Sequence, residues 1–88
     1  MHAPPPPAPA LQDMAAIRTA VAQQRRCHYS GKRLCHTTTV LVTITGPGGK
    51  HHTVALHRDA WPQRRPLVEQ HFGPENVRAI DGRALFTP

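Results

Sequence analysis

Acidic side chains are scarce in this chain, with five Asp and Glu among 88 residues against eleven Lys and Arg. So thin a carboxylate supply argues against general acid–base catalysis built on paired carboxylates. Aromatic residues amount to only 5%, which makes Trp61 the natural anchor of a thin core. There are two cysteines, and the close Cys-x-x-Cys knuckle of a structural zinc site is missing. No apolar run approaches the ~18 residues of a membrane span, and the N-terminus lacks the charged and apolar regions of a secretory leader. These absences predict a cytoplasmic protein without a membrane partner, whose thiols are reduced. Gly46-Pro47-Gly48-Gly49-Lys50 lacks both the spacing and the following Ser or Thr of a phosphate-binding P-loop. No helix-turn-helix, ribbon-helix-helix, RNA-recognition or zinc-finger signature is present, and no internal repeat of useful length.

What remains is small and basic. The formal charge is +6 at neutral pH, and ten of the eleven basic residues lie between Arg25 and Arg83. Such a balance favours polyanions, chiefly nucleic acid, or an acidic protein surface. Seven histidines add positive charge below pH ~6.5, where anion binding is expected to strengthen. A single domain of this size has a net stability of about 3–5 kcal/mol unless a staple or a partner contributes.

The first ten residues, with Pro4 to Pro7 consecutive and Pro9 following, predict a disordered or polyproline tail. Without flanking Arg or Lys it reads as a plain tail rather than an SH3-type ligand. Residues 11–88 then form one domain. Leu11, Met14, Ala15, Ile17 and Val21 recur at helical spacing and predict an amphipathic helix over 10–25, with Asp13 near its start and Arg25 and Arg26 at its end to complement the dipole. Its apolar stripe is expected to cover a sheet, and a homodimer through that stripe is the alternative.

Ser30-Gly31 predicts a short basic hairpin. A three-residue loop would set Tyr29 opposite Arg33 and Cys27 opposite Cys35, and a two-residue loop would place the cysteines on a diagonal. Thr37 to His57 is the clearest element, a β-hairpin in which Val40, Val42 and Ile44 share a face with Val54 and Leu56. That parity predicts Val42 opposite Val54, Thr43 beside Thr53, Leu41 beside Ala55, and a loop over 46–50. Asp59 is placed to cap a second helix, kinked at Pro66 or beginning there, with Leu67, Val68 and Phe72 inward and Gly73-Pro74 as its end. Asp81-Gly82 between apolar runs predicts a C-terminal β-hairpin. The fold class is therefore a small two-layer α+β domain: N-terminal helix, antiparallel hairpins, second helix, C-terminal hairpin.

The Cys-His doublets Cys27-His28 and Cys35-His36, with His51-His52, raise a metal reading. The main hairpin separates Cys35 from His51 by about 30 Å at ~3.3 Å per residue, so they cannot share an ion. Cys27, Cys35 and His57 are the better set, yet they lack a fourth ligand. Free thiols are the simplest state, ahead of a disulfide, and no metal or other cofactor is expected. His51, His52, His57 and Asp59 with a cysteine nucleophile make too thin a set for an enzyme, so none is expected.

The basic groups carry the functional reading. Arg25, Arg26, Lys32, Arg33 and Tyr29 crowd the short hairpin without local acidic partners, Arg58 adjoins it, and Arg64 and Arg65 extend the footprint if the second helix shares that face. The sequence predicts a small regulatory or accessory protein that binds DNA or RNA mainly through phosphates. The rival is a protein-binding regulator or inhibitor, of the kind phages and mobile elements make, docking this basic face on an acidic partner or a nucleic-acid-binding one.

Overall fold

β-branched residues dominate Thr39–Thr45, and this strand, β1, became the centre of the molecule. The computed structural model describes residues 8–86. Helix α1 spans Ala8–Gln24, β1 is followed by β2 (His51–His57), α2 (Trp61–Phe72), β3 (Val77–Asp81) and the short α3 (Gly82–Phe86). The sheet has the order β2-β1-β3 with both neighbours antiparallel to β1. This is the small α+β class that the sequence predicts. No described helix is long and apolar enough to cross a membrane.

The main hairpin has the expected register: Val42 faces Val54, Thr43 faces Thr53 and Leu41 faces Ala55. Its five-residue loop is closed by the Gly46 N–H donating to the Lys50 carbonyl at 2.7 Å. The odd-numbered face of β1 lies under α1, whose Ala16 and Ala20 border Leu41 and Ala55, and Ile17 is fully buried. α1 thus covers the sheet, as its apolar stripe predicts. The even-numbered face, with Val40, Val42 and Leu56 buried, is closed by Trp61 and half-buried Val68 of α2. Burial on both faces matches the apolar run Val40-Leu41-Val42 in the first half of β1.

Several local expectations changed. Helix α1 starts at Ala8, so Ala8 to Ala10 are helical, while the rest of the expected tail, 1–7, lies outside the described residues. The earlier start leaves Asp13 beyond the first turn, and Arg25 and Arg26 lie past the helix end. Asp13 instead meets Arg78 at 3.2 Å. Leu11 is exposed, which makes the buried stripe narrower than the periodicity implies.

Asp59 does not cap α2. Ala60 holds that position without a side-chain hydrogen bond, because the Asp59 carboxylate is turned towards Lys32. The helix runs through Pro66. Trp61 and Val68, seven residues apart, set its inner face, and Leu67 points away at 57% exposure. Phe72 is exposed at the far end, beside Pro47 of the hairpin loop.

The C-terminal hairpin is replaced by a strand and a helix. β3 pairs with β1, Leu41 opposite Ile80, and the Asp81 carboxylate accepts the Arg83 amide at 3.0 Å, an N-cap contact. Asp suits both turns and caps, which is why the dipeptide is ambiguous. Gly82 is required by close approach: a Cβ there would collide with the His36 carbonyl and lie 2.9 Å from the Thr39 carbonyl.

Candidate nucleic-acid interface

The turn between α1 and β1 is built from residues that alternate in and out. Arg25 follows the helix with φ of 64°, the one non-glycine residue in the left-handed region among those described. That conformation costs an L-residue roughly 1–2 kcal/mol, and glycine is the usual occupant after a helix end. The Arg25 carbonyl accepts the Leu34 amide and the Lys32 carbonyl accepts the Cys27 amide, both at 2.8 Å. These bonds flank an Arg26–Arg33 antiparallel bridge. Arg26 and Arg33 are therefore a narrow, non-hydrogen-bonded pair, with Cα atoms about 4.5 Å apart. Their neighbours Cys27 and Leu34 are buried, and both arginines are exposed on the opposite side.

This register corrects the predicted one. Neither Tyr29 opposite Arg33 nor Cys27 opposite Cys35 is formed, because the loop runs over His28–Gly31 and Gly31, at φ 71°, closes it. Cys27 is buried, Cys35 is exposed, and both are free thiols. No group of three His, Cys, Asp or Glu side chains among the described residues is arranged to hold a metal. The trio Cys27, Cys35 and His57 is not brought together as ligands. The Nδ1 of His57 accepts the Asp59 amide at 3.1 Å, so that nitrogen is already engaged.

Burial pushes the Cys27 thiol up, but hydrogen bonds from the Ser30 side chain and from the backbones of His57, Ser30 and Tyr29 outweigh it and lower it to about 7. The Cys35 thiol is also lowered, by the Thr38 and Thr37 hydroxyls, against a smaller opposing effect of burial.

The eight predicted contact residues divide into three groups. Arg25, Arg26 and Arg33 have no carboxylate partner among the described residues. Lys32, Arg58 and Arg65 are answered by Asp59 at 3.2 Å, Asp81 at 3.7 Å and Glu69 at 2.7 Å. The expectation that this protrusion lacks acidic partners thus fails for Lys32. Tyr29 and Arg64 form the third group, the Arg64 guanidinium carbon lying 4.0 Å from the Tyr29 ring centroid. Tyr29 remains 45% exposed. This contact links the first half of α2 to the turn, as a continuous footprint requires.

Gln24, the last residue of α1, has a role that residue type alone does not signal. Its side-chain amide donates to the Ala55 carbonyl at 2.6 Å and accepts from the Ala55 amide at 3.1 Å, as a neighbouring strand would. It also donates to the Arg26 carbonyl at 2.7 Å. One side chain thus clasps the outer edge of β2 and braces the arginine turn against it.

No family model matches the chain, and comparisons with curated proteins and with solved structures give no match either.

Proposed function

We propose that this is a small nucleic-acid-binding protein whose turn over 25–33 grips the phosphate backbone. The observation that carries the reading is the Arg26–Arg33 pair. Like charges directly opposite each other on paired strands destabilise the fold, and here they follow a third arginine, Arg25, whose backbone is held in the left-handed region. A polyanion relieves that repulsion and gains charge-assisted hydrogen bonds from all three. Lys32, Arg58 and Arg65, already paired, contribute less.

Heparin retention and oligonucleotide gel shifts test the reading. The wild-type chain is expected to bind both at moderate salt, and the triple variant Arg25→Ala, Arg26→Ala, Arg33→Ala to lose most of that binding, while Arg65→Ala changes it by less than about twofold. Equal binding by the triple variant removes the proposal. The second reading, a regulator docked on a protein, draws on the outer edge of β3, which has no strand beside it among the described residues. It predicts no polyanion retention and capture of one defined acidic protein.

A further inference from the structure

The basic turn offers an exposed aromatic ring as well as charge, and the helices offer almost no free cations. Arg64 is engaged over Tyr29, Arg65 is paired with Glu69, and Arg18 of α1 lies over the Phe86 ring with its guanidinium carbon 5.2 Å from the centroid. A helix entering a duplex groove needs a row of free donors along one face, and neither α1 nor α2 presents one. Among the described residues the guanidiniums with neither a carboxylate nor an aromatic partner are Arg25, Arg26 and Arg33 in the turn and Arg83 in α3. Of these, Arg26 donates to the Gly31 carbonyl at 3.1 Å. Tyr29 belongs to the same turn, its ring 45% exposed with the His28 ring set perpendicular at 5.1 Å. Bases in a duplex bury their faces against one another, whereas an unpaired base has a face to offer an aromatic ring.

From this juxtaposition we infer that the preferred ligand is single-stranded nucleic acid, with an unpaired base stacked on Tyr29 and the flanking phosphates held by Arg25, Arg26 and Arg33. The inference rests on the phosphate-binding reading above and adds the strandedness of the target. Arg64 positions the ring: its guanidinium sits against Tyr29 and holds it at the tip of the turn, and α2 fixes Arg64 in turn. The stacking chemistry is common to RNA and DNA.

Fluorescence anisotropy tests this with the full chain and four labelled probes at one salt concentration: a mixed-sequence ten-nucleotide RNA, the same sequence in DNA, the corresponding DNA duplex, and heparin. Single strands are expected to bind at least tenfold tighter than the duplex. Tyr29→Ala is expected to weaken single-strand binding about tenfold, leave duplex and heparin binding within twofold, and keep the thermal midpoint of this surface position. Tyr29→Phe, which retains the ring, is expected to match the wild type within about twofold. Comparable RNA and DNA affinities, or a preference for either, agree with base stacking. A duplex bound as tightly as the single strands, or single-strand binding untouched by Tyr29→Ala, overturns the inference and leaves phosphate binding standing. Absence of binding to all four probes overturns the phosphate reading itself.

Discussion

Beneath the turn, Cys27 is 3% exposed and hydrogen bonds lower its thiol from the usual 9.0 to about 7. The folded state therefore releases this proton before the unfolded chain does. The resulting stabilisation is complete above about pH 9 and is lost as pH falls through about 7. Denaturant midpoints of the reduced protein are expected to rise between pH 7 and pH 9, and the rise to shrink in Cys27→Ala. Burial and reactivity also separate the two thiols. Cys35 is exposed with its own pKa lowered, so iodoacetamide is expected to modify Cys35 first and Cys27 only on unfolding, as peptide mass spectrometry of a time course reads out. Gly82 gives a third test. A Cβ there would run into the His36 and Thr39 carbonyls, so Gly82→Ala is expected to cost about 1–3 kcal/mol in denaturant unfolding. Sequence reasoning singles out this glycine for the wrong reason. Asp81-Gly82 spells a hairpin turn, and only the three-dimensional crowding at Gly82 and the cap contact from Asp81 distinguish a helix start.

At the scale of elements, what was legible follows from parity. Alternation in Thr39–Thr45 and His51–His57 restricts the hairpin to registers that keep both apolar rows on one face, and the pairing of Val42 with Val54, which closes the loop over 46–50, is the one formed. The short turn carries no such constraint, because its apolar residues are few and Gly31 suits loops of more than one length. Its register is decided by burial of Cys27 and Leu34, which turns Arg26 and Arg33 outward together. The contact of Tyr29 with Arg64 and the clasp of Gln24 on Ala55 join segments far apart in sequence, and local pattern says nothing of either. Two variants probe this element. Gln24→Ala leaves both Ala55 backbone groups unpaired at a part-buried edge, and is expected to cost about 1–3 kcal/mol of stability. Arg26→Ala is expected to act in opposite directions, raising the denaturant midpoint slightly by removing the cross-strand repulsion and weakening polyanion binding. A purely structural turn would show no such opposition.

The molecule as a whole has a formal charge of +6, and where that charge is left unpaired matters more than its total. Ion pairs occupy Lys32, Arg58, Arg65 and Arg78, and the unanswered guanidiniums that adjoin one another are Arg25, Arg26 and Arg33. A narrow footprint on a thin domain predicts moderate affinity with few phosphates neutralised. The most direct measurement is the salt dependence of single-strand binding between low and moderate ionic strength. Three phosphate contacts predict a slope of log K against log salt of about −2, flattening towards zero in the Arg25→Ala, Arg26→Ala, Arg33→Ala variant. Binding indifferent to salt, or a slope that the triple variant leaves unchanged, would contradict phosphate recognition by this turn.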